Sequence, residues 1–328
     1  MTRKGSREYE EFGAPGAPPV VLVAGTGAPG RVWRAHQVPA LRRAGHRVVT
    51  FDNRGLAPEP GAAGAFTLAD LVADTAGLIG HFGAAPCRLV GHSLGAIVVQ
   101  ELVLARPELV DRAVLMAGSG RTDALITAGA AADLALAASG VRLPPAVAAH
   151  RLALQNLSPR TLEDDHQLGY WLSLFEMTLP DPAAARGQLG LALIPDRLAA
   201  YRRISRPCLV VAFADDLVIR PRLTRELAEA IPRSRYVEIP DCGHFGYLER
   251  PDAVNAELLG HLSGPPERIA PGRPAPQGPA PERIAPAPAR AASPTPAAQP
   301  VRPPPPGPVP AQARPAPPPP GAGHRAPA

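Results

Sequence analysis

Leu89-Val-Gly-His-Ser-Leu-Gly-Ala-Ile-Val-Val-Gln-Glu-Leu-Val-Leu-Ala105 is the stretch on which the fold turns. It opens on an apolar pair, Leu89-Val90, passes through Gly91-His-Ser-Leu-Gly95, and runs into Leu94–Ala105, which is apolar almost all round. A short apolar run followed by a helix with no polar face reads as a buried strand feeding a central helix. The five residues between them fit G-x-S-x-G, the pattern of a sharp strand-to-helix turn that projects a serine hydroxyl from a tight bend. Side chains at Gly91 and Gly95 would collide in such a bend. The Ser93 Oγ would then stand at a helix N-terminus, where the N–H of Leu94 can stabilise an oxyanion. In a chain with 31 glycines the same five residues could form an ordinary glycine-rich turn, so the flanking strand and helix carry the reading.

Outward from this stretch, strand and helix patterns alternate. Pro19–Ala24, Arg47–Phe51, Ala113–Met116, Leu209–Phe213 and Arg235–Ile239 are continuous apolar runs, as suits strands buried on both faces of a parallel sheet. A helical pattern covers Trp33–Leu41. Another begins at Thr67, whose hydroxyl can cap it with Asp70 three residues on, and Gly83 ends it. The expected fold class is α/β, a doubly wound, mostly parallel sheet. From Ser119 to Ser205 only helical patterns occur, which predicts a helical cap at 119–205 inserted between core segments 7–118 and 206–263.

Residues 264–328 are of another kind. They hold 24 of the 44 prolines and no aromatic residue, which predicts a disordered or polyproline-like tail. Within it, Pro266–Pro271 recurs as Pro281–Pro286. Its seven arginines against two glutamates account for the whole formal charge of +5, so the remainder is neutral and offers no concentrated basic face for nucleic acid. The three cysteines are scattered, no run of apolar residues is long enough to span a membrane, and the N-terminus lacks an apolar signal segment. A soluble, cytoplasmic protein without a metal centre or bound cofactor is expected.

Gly25-Thr-Gly-Ala-Pro-Gly30 follows a strand and fits G-x-G-x-x-G, with Asp52 ending the next strand 22 residues after Gly30. That arrangement suits an NAD(P)- or flavin-binding oxidoreductase, in which the acid holds a ribose. The same exposed backbone N–H groups also suit an oxyanion. Ser93 decides between these readings, because a nucleophilic serine needs a base and the chain supplies one in the right place. His244, in Asp241-Cys-Gly-His-Phe-Gly246, follows the last strand, whereas His92 adjoins the serine on a turn that points the two side chains apart. Asp216, after the strand Leu209–Phe213, is the expected acid and completes the order Ser93, Asp216, His244. Asp215 and Asp123 remain open as alternatives.

The chain resembles the α/β-hydrolase superfamily over about residues 7–263. The pieces that carry the resemblance are Val23-Ala-Gly-Thr-Gly27 with Trp33, Phe51-Asp-Asn-Arg-Gly55, Gly91–Gly95, Asp216-Leu-Val-Ile-Arg-Pro221, and Gly243-His244 followed by Glu249-Arg-Pro251. The resemblance implies that Thr26 supplies the second oxyanion N–H. It departs where family members often carry His-Gly and this chain has Ala24-Gly25, and where Leu56-Ala-Pro follows Gly55. Phe51-Asp-Asn-Arg-Gly55 is similar to hydrolases of actinomycete natural-product pathways, including polyketide chain-releasing thioesterases. The expected substrate is therefore an ester or thioester, free or tethered to a carrier protein, with Trp33, Tyr170, Trp171, Phe175 and Met177 lining an acyl pocket. A binding protein that keeps the fold without catalysis is the remaining alternative.

Overall fold

The computed structural model describes residues 9–56, 66–83, 85–178 and 187–264. The expectations for the tail from residue 265 onward lie outside this set. Seven strands form one sheet in the order β1-β3-β2-β4-β5-β6-β7. They are β1 Tyr9–Phe12, β2 Pro19–Val23, β3 Arg47–Phe51, β4 Cys87–His92, β5 Val110–Met116, β6 Cys208–Phe213 and β7 Ser234–Ile239. All neighbours are parallel except β1, which runs antiparallel to β3 at the edge. The sequence reading had no place for β1. Its Tyr-Glu-Glu-Phe has no apolar run, and it holds its place at the rim through Tyr9 on the Phe82 ring and an ion pair between Glu11 and Arg47.

Register and the two-residue period of strands divide the core into two faces. Val20, Val48, Leu22, Val90, Val114 and Leu209 are cross-strand neighbours on one face. Trp33, helix α1 (Gln37–Arg43) and the helix Pro251–Leu262 cover it. Val49, Val21, Leu89, Ala113 and Cys208 line the other face, under α2 (Leu68–His81) and α3 (Leu94–Ala105). This is the doubly wound arrangement. The Thr67–Asp70 capping box is formed in both directions at the start of α2. The helix expected over Trp33–Leu41 is split: a 3-10 turn, Gly30–Arg34, precedes α1, whose Pro39 sits in the first turn where a missing N–H is harmless.

Between β5 and β6 the described residues are helical, with no strand among them: α4 (Ala124–Ser139), α5 (Pro145–Asn156), α6 (Pro159–Leu162), α7 (Asp165–Thr178) and Leu198–Tyr201. Helices α5 and α7 share a small core of Ala149, Ala153, Leu157, Trp171 and Phe175, which packs onto Phe245 and Leu248 of the sheet domain. Two-pronged ion pairs, Arg121 with Glu226 and Arg197 with Glu101, tie the ends of this insertion to the core. No helix among the described residues is long and apolar enough to cross a membrane.

At the N-terminal ends of the central strands β4 and β5, Asp111 pairs with both Arg88 and Arg112, and Arg112 donates to the carbonyl of His261. Burial, with Arg112 and Arg235 close by, lowers the His261 imidazole from its ordinary 6.5 to about 4. Burial and Arg88 likewise lower His46. Between those values the unfolded chain binds more protons at these sites than the folded one, so their contribution to stability is fully present above pH 6.5 and is lost as the pH drops toward 4. Urea denaturation should therefore show a midpoint that falls between pH 7 and pH 4.5. The fall should be smaller in His261→Gln, and an equal fall in both proteins would refute the assignment.

Candidate active site

The turn between β4 and α3 is strained at one residue. Ser93 has φ 55° and ψ −120°, a left-handed backbone that a side chain rarely adopts and that costs on the order of 1–3 kcal/mol. Its surroundings hold it there. The Ser93 N–H donates to Met116 O at 3.0 Å, and the N–H groups of Ala96 and Ile97 donate back to Ser93 O at 2.9 and 3.2 Å. The turn is also crowded: a Cβ on Gly91 would lie 2.3 Å from Gly95 O, and one on Gly95 would lie 2.1 Å from Val23 O. Helix α3 therefore begins directly over the ends of β2 and β4. The N–H of Leu94, in its first turn, has no acceptor within the helix and faces the end where Ser93 stands.

His244 and Asp216 meet across two loops. His244 Nδ1 lies 2.7 Å from Asp216 Oδ2, with the side chain of Asp216 0 % and that of His244 6 % exposed. The other carboxylate oxygen, Oδ1, accepts from the N–H groups of Val218 and Ile219, both at 2.8 Å. A buried carboxylate with both oxygens hydrogen-bonded is fixed in place. It draws the imidazole proton to Nδ1, which leaves Nε2 as the acceptor. Neither rival acid is the partner of the imidazole. Asp123 caps α4 by accepting from Leu125 and Ile126 and pairs with Arg220 and Arg222. The Asp215 N–H holds Cys242 O, and burial with Asp241 and Glu249 nearby pushes its carboxyl up.

The loop carrying His244 is pinned on three sides. His92, the neighbour of Ser93, donates from Nε2 to His244 O at 2.9 Å, and the two rings lie 4.8 Å apart. Full burial, reinforced by His244, keeps His92 well below its usual titration range and therefore neutral. Glu249 accepts from Gly243 N at 2.7 Å and, with its other oxygen, from Ser158 N and Oγ at 2.9 and 2.8 Å. Phe245 N donates to Asn156 O at 3.2 Å. Asn156 and Ser158 belong to the helical insertion, so that insertion helps to place His244.

A third loop closes the site. A Cβ built on Gly25 would lie 3.2 Å from Ser93 Cβ, which puts Gly25–Gly30 beside the serine. Asn53 Nδ2 donates to Ala24 O at 2.9 Å, Gly27 N to Gln188 Oε1 at 2.8 Å, and Gly30 N to Asp52 Oδ1 at 2.7 Å. Asp52, the residue that would grip a ribose in a dinucleotide site, thus turns back to close its own loop. With Gly27 N on Gln188 and Ala28 N on Gly25 O, the Thr26 N–H is the one amide of residues 26–28 without an acceptor among the described residues. Asn53, Glu249 and Gln188 are the site residues that the sequence reading did not assign. The first two lie inside quoted motifs, and Gln188 lies in a stretch without one.

The expected acyl pocket is not assembled as foreseen. Trp33 has no exposed surface and packs in the core on Tyr247, with ring centroids 4.8 Å apart. Tyr170 and Met177 point outward, 65 % and 77 % exposed. Trp171 and Phe175 occupy the inner face of α7, and Phe175 lies 6.1 Å from the Phe245 ring, itself 6.1 Å from His244. The reason is helical phase: residues 171 and 175 share one face of α7, and 170 and 177 share the opposite one.

With this fold and site described, comparison places the chain. The profile of the alpha/beta hydrolase family matches residues 20–257, and the protein belongs to that family. It is 48 % identical over 242 residues to the Mycobacterium tuberculosis protein named "Putative non-heme bromoperoxidase BpoC", covering 74 % of this chain and 92 % of that one. The crystal structure of BpoC superposes with a TM-score of 0.75 at 46 % identity, over 79 % of this chain and 96 % of the other. The protein named "Putative carbamate hydrolase RutD" of Klebsiella pneumoniae is 32 % identical over 262 residues, covering 76 % and 92 % of the two chains.

The crowding at the turn is directly testable. Gly95→Ala must push a methyl group into Val23 O, and overpacking against backbone should cost about 1–3 kcal/mol. Urea denaturation measures this, and a variant as stable as the parent would contradict the described approach of α3 to β2.

Proposed function

We propose that this protein is a serine hydrolase that cleaves a carboxylic ester or thioester through an acyl-enzyme. One observation carries the reading: a serine strained at a helix N-terminus stands next to a loop whose imidazole is held through Nδ1 by a fully satisfied, buried carboxylate. Ser93 Oγ attacks the acyl carbon while His244 Nε2 takes its proton. Asp216 keeps the imidazole oriented and stabilises its positive charge. The oxygen of the tetrahedral intermediate lies against the N–H groups of Leu94 and Thr26, and losing one such donor costs about 10²–10³ in kcat. The leaving alkoxide or thiolate takes the proton from His244. Water, activated by the same imidazole, then releases the acid. This route calls on no metal or cofactor.

In this reading residues 7–118 and 206–263 form the catalytic core and 119–205 form a cap. Chain release from a biosynthetic carrier is the narrowest form of the proposal. Its structural support is the apolar strip of Phe245, Phe175 and Trp171 leading from His244. The name of one relative favours a second reading of the same acyl-enzyme. BpoC is named for bromoperoxidase activity, and hydrogen peroxide attacking in place of water would yield a peracid able to oxidise bromide.

A fluorophosphonate probe should label Ser93 in the folded protein and fail to label Ser93→Ala; an unlabelled parent protein would refute the nucleophile. Asp216→Asn should keep the fold and lose about 10³–10⁴ in kcat. The same loss on Asp123→Asn, with Asp216→Asn active, would reassign the acid. A panel of p-nitrophenyl esters and N-acetylcysteamine thioesters from two-carbon to long acyl chains separates the substrate classes. Carrier release requires kcat/KM to rise with chain length on thioesters. Preference for acetyl, with bromination in the presence of peroxide, supports the second reading.

A further inference from the structure

The glycine loop is fixed at its ends by residues of its own neighbourhood, Asn53 at Ala24 and Asp52 at Gly30. Its middle depends on a residue more than 150 positions away. Gln188 is completely buried, its Oε1 accepts from Gly27 N at 2.8 Å, and its Nε2 donates to Arg54 O at 2.7 Å. A neutral amide is suited to this place, because it must accept from one backbone and donate to another with no water to substitute. The contact also falls where the loop is most able to change shape. Gly27 has φ 69°, and glycine moves between left- and right-handed backbone at little cost, so the Thr26–Gly27 peptide can flip unless its N–H is held.

We propose that Gln188 is the positioning residue of the oxyanion site: its grip on Gly27 N–H fixes the loop so that the adjoining Thr26 N–H is aimed at the developing negative charge. The proposal rests on the serine-hydrolase reading. Gln188 touches no reacting atom and acts through the loop alone. An oxyanion donor gains its value in the transition state, so loosening this loop should affect kcat and leave substrate binding nearly untouched.

The test uses the full chain with p-nitrophenyl butyrate as substrate and phenylboronic acid as transition-state mimic. In the boronate complex the boron accepts an electron pair from Ser93 Oγ, the hydroxyl proton passes to His244, and a boron-bound oxygen takes the oxyanion's place. Gln188→Met, of similar volume but without the acceptor, should lower kcat at least about tenfold, with KM within about twofold. The boronate inhibition constant should rise by the same factor as kcat falls. Gln188→Glu keeps an acceptor for Gly27 but loses the donor to Arg54 O where no water can replace it, so it should fall between the parent and the Met variant in both measurements. If the Met variant does not fold, Gln188→Asn, one methylene too short to reach Gly27, replaces it with the same expectations. Turnover near the parent level in the Met variant, with Ser93→Ala inactive, overturns the proposal and spares the hydrolase reading. So does a loss of kcat with unchanged boronate affinity, which marks a purely structural role. An active Ser93→Ala overturns both.

Discussion

At the top of the sheet, α3 starts so close to β2 that Gly95 meets the Val23 carbonyl with no room for one more carbon. The left-handed backbone of Ser93 is the geometric result of that approach, since the chain has to reverse within one residue to leave β4 and enter α3. The strain is sustained by the sheet beneath it, through the bond from Ser93 N to Met116 O on β5. The same approach directs the first-turn N–H groups of α3 at the serine and brings Gly25 alongside it. The strained serine, the first-turn amides and the neighbouring loop are thus consequences of one close contact between a helix and a strand.

Around that contact, different loops contribute parts that are precise only because each is anchored from outside. Asp216 is held by two amides of its own turn, whereas His244 relies on His92 from the elbow, on Glu249, and on Asn156 from the insertion. The glycine loop is held by Asn53, Asp52 and Gln188. Buried polar networks of this kind are stable when every member is satisfied, and both carboxylates at the site, Asp216 and Glu249, meet that condition.

What could be read from the sequence followed periodicity. β2, β3, β5 and β6 announce themselves as mainly apolar runs and β4 as the apolar pair before the elbow, because strands buried on both faces have little polar side; the rim strands differ, since β1 carries no such mark and β7 is only partly buried, with Arg235 and Glu238 among its apolar residues. The elbow was legible because its glycines and its flanks speak together. The choice among Asp216, Asp215 and Asp123 turned on loop geometry, although Asp123 directly precedes an apolar helix and so already carried the mark of a cap. Asp52 and Gly30 read the same way for a ribose site or a self-closed loop, and only the direction of the carboxylate separates the two. Residue type groups Tyr170, Trp171, Phe175 and Met177 of α7, whereas helical phase splits them. Gln188 was beyond reach, since its partners lie in backbone far away in the chain.

The anchoring of the helical insertion also bears on how such a protein changes over evolutionary time. Asn156, Ser158 and Gln188 are where the insertion grips the catalytic loops, and Arg121 and Arg197 are where it grips the core. Between these fixed points, α6 and α7 pack mainly within the insertion's own small core and present a long outer surface to solvent. Drift there can reshape the outer surface without moving Ser93, Asp216 and His244. The molecule therefore separates a tightly anchored centre from an adjustable surround, and the boundary between them runs through individual side chains, not along a domain border.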